Sequence, residues 1–365
     1  MRPKAQVRAE AMRLLALFQS TGAVVVEADI LQPADTLLDL YGEDIRGRAF
    51  VTNDPLRGER MLRPDFTVPV VQMHMSDGAV PARYTYAGEV FRKQDDDPDR
   101  ATEYLQVGYE LFDGADPAAA DAEVFALMQR ATQGLGLRAA TGDMGLLKAA
   151  VSGLCTSERR KSALMRHIWR PRRFRVLLDR FAGRTEVAAS RTQLLAQSDV
   201  ADAIRSAAPM IGLRSEGEIT ERIEALKADA QEPPISNIEV SLLDTLMEVR
   251  GASPDALSRL HDLAVDMPAI EKAVGRLSAR LDALAARGVD VGTLDFEARY
   301  GRTLLEYYDG FVFGFYAANR AHLPPVSTGG RYDALTQVLG RGRSIPAVGG
   351  VIRPELVLSL KEGQV

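Results

Sequence analysis

Apolar residues recur at helical spacing near the start of the chain. Five of them share one face of a helix drawn over residues 6–20: Val7, Ala11, Leu14, Leu15 and Phe18. This spacing predicts an amphipathic helix that packs on a core. Gly22 stands where a C-terminal cap is expected. The following segment, VVVEADIL, predicts a strand that Pro33 closes.

Two strand-turn-strand patterns follow. The first has RAFVTN and ERMLRP on either side of DPLRG, and the second has ARYTYAGEVFRK and TEYLQVGYELF on either side of QDDDPDRA. Turn residues between such runs predict antiparallel hairpins. Asp116 as an N-cap and Pro117 in the first turn then predict a helix through DAEVFALMQRA, up to the glycines at 134 and 136.

The pattern changes between about residues 144 and 288. LMRHIWRPRRFRVLLDRFAG, SEGEITERIEALKADA and AIEKAVGRLSARLDALAARG predict successive amphipathic helices. Strand-like sequence rich in glycine and aromatic residues returns after residue 290, and AVGGVIRPELVLSL predicts a final strand, turn and helix. We therefore expect an α+β fold whose antiparallel sheet comes from residues 1–145 and 289–365, with a helical insertion at 146–288.

Composition narrows the possible chemistry. One cysteine, Cys155, and four scattered histidines exclude a disulfide framework and make a metal site unexpected. The net charge of −5 gives no general attraction to nucleic acid. No stretch of about 20 apolar residues predicts a membrane span, and the N-terminus lacks the apolar run of a signal peptide. We expect a cytoplasmic protein without a cofactor.

Polar residues in the second hairpin form the first candidate site. Gln106, Gly108 and Glu110 share one face of a strand. A buried Glu needs a partner, so Gln106 and Glu110 either point into a ligand pocket or lie on a solvated sheet face. Spacing alone favours the solvated face.

Other candidate residues also have two interpretations. Asp65 and Thr67, if extended, present a carboxylate and a hydroxyl that suit an ammonium group, but either residue could cap a helix. Tyr307 and Tyr308 fit a core or a pocket that needs hydroxyl donors. The glycines of GGRYDALTQVLG predict a tight strand-to-helix turn and are weak support for a phosphate loop.

Arg92 and Arg100 flank the acidic loop DDDPD. Arginine suits phosphate because its guanidinium donates two parallel hydrogen bonds. Three adjacent aspartates would repel a polyanion, so local ion pairs on a solvated loop are at least as probable from charge alone.

These segments together resemble the catalytic core of class II histidyl-tRNA synthetases. LRPDFT resembles LRPE-x-T, residues 91–112 resemble the motif 2 hairpin, and LLEYYDGFVF resembles the histidine-specific GLDYY segment. GGRYDALTQVLG and PAVGGVIRPEL resemble the motif 3 region. The four matches occur in the family's order and cover roughly residues 1–145 and 290–365.

The resemblance implies roles for individual positions. Asp65, Thr67 and Gln106 fall where the family holds the α-ammonium of histidine. Glu110 and Tyr307 fall where it recognises the imidazole, and Tyr308 lines that pocket. Arg92 falls on the motif 2 arginine that binds the ATP α-phosphate, and Arg100 on a further arginine near the triphosphate.

The sequence departs from this family at positions that bind ATP. The catalytic arginine before the YY pair falls on Thr303, the motif 3 arginine on Leu356, and a motif 2 loop arginine on Thr102. Each lost donor at a site of developing negative charge typically costs ~10²–10³ in rate. The sequence also ends soon after motif 3, so no anticodon-binding domain is expected.

A kept amino-acid pocket with lost nucleotide contacts resembles the regulatory subunits of ATP phosphoribosyltransferase, which act in the first step of histidine biosynthesis. This resemblance implies a non-catalytic chain that activates a separate short-form catalytic subunit and mediates feedback by histidine. It also implies a homodimer, formed around VVVEADILQPADTLLDLYGE, inside a hetero-octamer. Histidine could bind in the synthetase-like pocket or at the interface with the catalytic chain.

Three other interpretations stay open. The chain could be an active histidyl-tRNA synthetase fragment, another amino-acid-activating paralogue, or a tRNA-binding module. Net charge and the acidic motif 2 loop disfavour the last. The basic segment SERRKSALMRHIWRPRRFRVLLDRFAGR could contact RNA or an acidic partner. A helix with a solvated basic side is the commoner case, with Trp169, Phe174 and Phe181 facing the core.

Overall fold

The computed structural model describes residues 3–41, 45–94, 100–207, 211–302, 307–320 and 322–363, apart from the side chain of residue 41. Its helices are α1 (Lys4–Gln19), α2 (Ala34–Tyr41), α3 (Ile45–Arg48), α4 (Thr67–Asp77), α5 (Pro117–Ala131), α6 (Met144–Ser152), α7 (Glu158–Arg166), α8 (Pro171–Phe181), α9 (Ala189–Leu195), α10 (Val200–Arg205), α11 (Glu216–Gln231), α12 (Asn237–Glu248), α13 (Ser253–Asp266), α14 (Glu271–Ala286), α15 (Asp333–Leu339) and α16 (Pro354–Glu362). Its strands are β1 (Val24–Val25), β2 (Leu31–Pro33), β3 (Val51–Asp54), β4 (Gly58–Leu62), β5 (Ala82–Phe91), β6 (Glu103–Phe112), β7 (Leu137–Asp143), β8 (Arg250–Ala252), β9 (Asp295–Glu297), β10 (Phe311–Ala317), β11 (Ser327–Arg331) and β12 (Ala347–Ile352).

A long sheet forms the centre of the fold. Within the described ranges its strand order is β1-β5-β6-β12-β11-β10-β7-β9-β8, and β2-β4-β3 form a smaller sheet. Strands β1 and β5 are parallel, as are β7 and β9, and the other neighbours in the long sheet are antiparallel. The predicted α+β fold with an antiparallel sheet flanked by helices is therefore confirmed.

Local signals placed several elements correctly. Both predicted hairpins form, as β3 with β4 and as β5 with β6, while residues 95–99 of the acidic loop lie outside the described residues. Helix α1 buries most of its predicted apolar face, and Gly22 follows it with a φ of +88°. The side chain of Asp116 caps α5 by accepting a hydrogen bond from Ala119 N.

Four local predictions were wrong. VVVEADIL is not one strand, because β1 joins the long sheet and β2 joins the small one. Pro33 lies inside β2 rather than after it. Gly329 and Gly330 lie within β11 and do not form a turn. The predicted helix over residues 164–183 is two helices, since Pro171 begins α8 and disfavours helical backbone in the residue before it.

The elements described between β7 and β9 are helices apart from the short β8, and we propose 146–288 as an insertion. Its last helix, α14, packs on α5. Arg280 of α14 forms buried ion pairs with Asp121 and Asp143, each at 2.8 Å, and Arg331 reaches Asp121 at 2.7 Å. Removing one member of such a network leaves an unpaired buried charge, which typically costs ~3–5 kcal/mol. The network thus holds the helical segment against the sheet.

Two further observations concern the basic segment and the possibility of a membrane span. In the segment that sequence identified as basic, Phe174 and Phe181 are buried as predicted, whereas Trp169 is only half-buried. Within the described ranges, no helix is long and apolar enough to cross a membrane.

Candidate functional site

A buried carboxylate lies at the centre of the candidate site. Glu110 of β6 is 1% exposed. Its Oε1 accepts hydrogen bonds from Thr67 Oγ1 at 2.9 Å and from the Tyr86 hydroxyl at 2.8 Å. Its Oε2 accepts from the Tyr332 hydroxyl at 2.5 Å. The alternative of a solvated sheet face is therefore wrong for Glu110.

The surroundings of Glu110 change its proton affinity. Burial raises its pKa to about 7, since an ionised carboxylate loses hydration there. The three hydroxyl donors act in the opposite direction, and nearby Asp65 adds to the increase. Burial and the Glu110 charge raise the pKa values of Tyr86 and Tyr332 well above normal. Both phenols therefore stay protonated and act as donors.

Glycines in the neighbouring strands make room for these side chains. Gly349 pairs with Glu110 across β12 and β6, and a Cβ there would lie 1.6 Å from Glu110 Oε2. A Cβ on Gly108 would lie 2.1 Å from the Tyr86 ring, and one on Gly330 would lie 2.7 Å from the Tyr308 ring. Side chains at these positions would fill the space that the site residues occupy.

Asp65 and Thr67 lie at the start of α4 and both are buried. They are not extended, because the helix begins at Thr67. Asp65 Oδ1 accepts a 3.3 Å hydrogen bond from Val68 N. The capping interpretation is thus correct in part for Asp65. Thr67 nevertheless points at Glu110, so the start of α4 also contributes to the site.

Gln106 lies on the same strand as Glu110, four residues earlier, and is also 1% exposed. Its Oε1 has no hydrogen-bond partner among the described residues. A buried amide oxygen without a donor is costly. Such an atom is suited to a ligand that brings an N–H group.

Tyr307 and Tyr308 form the aromatic side of the site. Both are buried, and their rings make an edge contact at 4.8 Å between centroids. Tyr307 also contacts the Tyr332 ring edge-on at 6.0 Å. Burial and the charges of Glu110 and Asp65 raise the pKa of Tyr308, although Tyr307 and Arg92 oppose this change. The six predicted pocket residues therefore fall in one region.

The arrangement has a clear chemical preference. Two carboxyl groups, several hydroxyls and an unpaired amide oxygen line an aromatic-walled region. Such a site accepts hydrogen bonds and favours ligands that carry N–H groups or positive charge.

Two arginines, Arg92 and Arg353, lie near Tyr104 of β6, and Arg100 lies near Arg353. Arg353, just after β12, lies over the Tyr104 ring at 5.4 Å. Burial raises the pKa of Tyr104, but Arg92 and Arg353 outweigh it and hold that pKa below its usual value. Burial and the charges of Arg92 and Arg100 lower the pKa of Arg353, against the effect of Tyr104. The structure thus adds Arg353 to the two predicted arginines.

The departures at the nucleotide positions have different outcomes. Thr303 lies outside the described residues. Leu356 is on α16 and packs against the core. Arg302, although adjacent to position 303, donates from Nε to the backbone oxygen of Ile168 at 2.9 Å and lies over the Phe174 ring. Arg302 is therefore directed at the helical segment and does not replace the missing arginine.

The sequence matches the histidyl-tRNA synthetase family over residues 2–228 and 220–357. An ATP phosphoribosyltransferase regulatory subunit of Agrobacterium fabrum is 33% identical over 354 residues, covering 92% of each chain. The regulatory subunit of Brucella anthropi is 30% identical and covers 90% of each chain.

The chain belongs to the ATP phosphoribosyltransferase regulatory subunit family.

Solved structures with this family's fold agree. A Bacillus halodurans protein described as an ATP phosphoribosyltransferase regulatory subunit/histidyl-tRNA synthetase superposes with a TM-score of 0.68 at 22% identity, covering 99% of this chain and 81% of that one. A histidine–tRNA ligase subunit of Alicyclobacillus acidocaldarius gives 0.62 at 23%, covering 100% and 96%. At these identities the likeness concerns the fold alone.

The sequence analysis did not identify Tyr86, Tyr332 or Arg353 as candidate site residues. Tyr86 faces Gly108 across the hairpin, so the period-2 pattern of the predicted strands could have placed it on the Glu110 face. Tyr332 belongs to the GGRYD segment but was not assigned a role. Among the described residues, no cluster of His, Cys, Asp and Glu is arranged to hold a metal ion.

Proposed function

We propose that this chain is a regulatory subunit of ATP phosphoribosyltransferase in the cytoplasm. It makes no bond itself, activates a separate short-form catalytic subunit and mediates feedback by histidine. The names of its relatives support the regulatory role. The single observation that supports histidine as the effector is that one face of β6 buries two polar residues: Glu110, bound by hydroxyls, and Gln106, four residues earlier, whose Oε1 has no partner among the described residues.

Histidine fits the chemistry of this region. We propose that Asp65, Thr67 and Gln106 accept the ammonium group and that Glu110 and Tyr307 bind the imidazole, with Tyr308 along its side. The ammonium supplies the donor that Gln106 Oε1 lacks. The imidazole supplies an N–H for a carboxylate that burial brings to a pKa of about 7. Histidine would thus supply a donor for Gln106 Oε1 and a further donor for Glu110.

Calorimetry with histidine tests this assignment. We expect saturable binding by the wild type and a loss of at least tenfold in Glu110→Ala, because removing a hydrogen bond to a charged group typically costs ~1.5–3 kcal/mol. Glu103→Ala is the matched control, since Glu103 is an exposed acid on the same strand. Unchanged affinity in Glu110→Ala would place histidine elsewhere, for example at the interface with the catalytic chain.

Activation is tested by measuring the turnover of a short-form catalytic subunit with and without this chain. The chain should raise the turnover of a short-form catalytic subunit and copurify with it, and histidine should lower that turnover in the mixture. By linkage, if histidine weakens the active assembly, that assembly weakens histidine binding by the same factor. A catalytic chain that is equally active alone and in the mixture would contradict the regulatory role.

The assembly we propose is a homodimer within a hetero-octamer of four regulatory and four catalytic chains. Exposed apolar side chains support a dimer surface on the small sheet and the neighbouring β1: Val24, Val25, Ile30, Leu31 and Leu56. Strands β1 and β2 are also edge strands, which readily pair with another chain. Sedimentation of the wild type and of Leu31→Glu tests this surface. The same dimer dissociation constant for both proteins would count against it.

A second candidate function is a histidyl-tRNA synthetase-like enzyme. Arg353 and the arginines that act on it, Arg92 and Arg100, favour it because guanidiniums suit a triphosphate. Against it stand Leu356 and the direction of Arg302. Pyrophosphate exchange with histidine and ATP discriminates between the two functions. We expect no exchange from the purified chain, and measurable exchange would favour the enzyme.

A further inference from the structure

A concave region lies between α6, α7 and the residues that follow α7. It has a volume of about 530 Å³, within the ~300–1,000 Å³ typical of small-molecule sites. Its lining includes Lys148, Lys161, Ser162, Arg166, Ile168 and Trp169. We call it the α6–α7 groove. It shares no lining residue with the candidate histidine pocket.

The rim of the α6–α7 groove is cationic. Arg166 is exposed and forms no ion pair within the part of the chain that the structure describes. Lys161 is paired with Glu158 at 2.9 Å, but the lysine side chain is 19% exposed and the glutamate side chain 86%. Glu158 also lines the groove, but its side chain is exposed and can turn toward solvent, which leaves Lys161 to an anion. Lys148 Nζ lies 3.3 Å from Asp309 and is largely neutralised.

The floor of the groove offers an aromatic surface. Trp169, the only tryptophan of the chain, is half-buried and lines the groove. Its single polar atom, Nε1, donates to the backbone oxygen of Tyr308 at 3.3 Å. The indole therefore has only ring surface to present to a ligand. A planar ring suits this surface, and an anionic group suits the neighbouring Lys161 and Arg166.

We propose that the α6–α7 groove binds a nucleoside phosphate, with the base against Trp169 and the phosphate between Lys161 and Arg166. Arginine and lysine bind phosphate through charge-assisted hydrogen bonds. Stacking on an aromatic side chain accepts any base, since every base has a π-face. The volume of about 530 Å³ favours a small ligand over a nucleic acid strand. This proposal does not depend on histidine binding or on a catalytic partner.

The test uses the full chain and AMP, whose purine offers a large stacking surface. Binding is followed by Trp169 fluorescence and, independently, by calorimetry. Adenosine and inorganic phosphate probe the two halves of the ligand separately. The groove variant is Lys161→Gln with Arg166→Gln. Its matched control is Arg172→Gln with Arg173→Gln, which removes the same charge from exposed arginines of α8 outside the groove.

We expect saturable AMP binding in the micromolar to millimolar range, weakened roughly tenfold or more in the groove variant and unchanged in the control. Adenosine and phosphate should each bind more weakly than AMP. The proposal is overturned by no saturable binding at millimolar AMP, by equal affinity in the groove variant, or by an equal loss in the control. Phosphate that binds as tightly as AMP overturns the role of the base.

Discussion

The indole Nε1 of Trp169 donates a hydrogen bond to the backbone oxygen of Tyr308, over 3.3 Å. Trp169 follows α7 in the helical segment, and Tyr308 lines the candidate histidine pocket. The next residue, Asp309, is held from the same side by Lys148. The helical segment thus contacts Tyr308 of the candidate pocket and the residue that follows it.

Removal of this hydrogen bond should weaken histidine binding. Trp169→Phe keeps an aromatic ring but has no donor for Tyr308 O, and one net hydrogen bond is worth ~0.5–1.5 kcal/mol. We expect calorimetry to show a loss of affinity of about two- to tenfold. In the wild type, histidine should change the fluorescence of Trp169, and it should not do so in Glu110→Ala. Equal affinity of wild type and Trp169→Phe would refute the positioning role.

Replacing Gln106 should weaken histidine binding without lowering the stability of the protein. Gln106→Met has a similar shape and removes a buried oxygen that has no partner within the described residues. An unsatisfied buried group costs ~1–3 kcal/mol. We therefore expect the variant without ligand to unfold at equal or higher denaturant concentration, while its histidine affinity falls at least tenfold. A variant that is both less stable and fully able to bind histidine would contradict this role.

The elements that the sequence predicted well depend on local signals. The hairpin of β5 and β6 has long runs of strand residues around a turn, and α5 has Asp116 and Pro117 at its start. VVVEADIL failed because its apolar run carries no sign that its ends belong to two different sheets. That division depends on pairing with β4 and β5, which lie far along the chain.

The sequence proposed the members of the candidate site but gave no information on their contacts. A family resemblance brought Asp65, Thr67, Gln106, Glu110, Tyr307 and Tyr308 together, whereas spacing alone favoured a solvated face for Gln106 and Glu110. The hydrogen bond from Tyr332 to Glu110 joins residues 222 positions apart. Arg353 acts on Arg92 electrostatically although the two residues are far apart in sequence. Such contacts follow from strand register across the whole sheet.

Glu110 should make stability depend on pH. Its folded pKa of about 7 lies above the ordinary value of 4.5, so the folded state keeps a proton that the unfolded state has released. This contribution to the free energy of unfolding is present below pH 4.5 and is lost as pH rises through about 7. The loss is on the order of 3 kcal/mol. Without histidine, Glu110→Gln should lack this component.

Chemical unfolding of both proteins between these pH values measures the difference. The other titrating groups are shared, so subtracting the two profiles isolates Glu110 regardless of any constant offset that glutamine introduces. Parallel profiles for wild type and Glu110→Gln would show that the carboxyl group is not shifted.

Gly349 should be required for the shape of the site. In Gly349→Ala the new Cβ would lie 1.6 Å from Glu110 Oε2 and 3.0 Å from the backbone oxygen of Tyr109. The carboxylate must move and lose the donor from Tyr332. Overpacking of this kind typically costs ~1–3 kcal/mol, and histidine affinity should fall with it.

Gly275→Ala in α14 is the matched control for that substitution. Nothing lies within 4 Å of its new Cβ, and alanine in a helix interior is more stable than glycine by ~0.5–1 kcal/mol. The free energy of unfolding should therefore fall in Gly349→Ala and rise in Gly275→Ala. Only Gly349→Ala should lose histidine binding in calorimetry. Both variants could instead bind histidine as the wild type does. Glu110 would then either tolerate displacement or make no contact with the ligand, and the residues around β6 and β12 would have a different role.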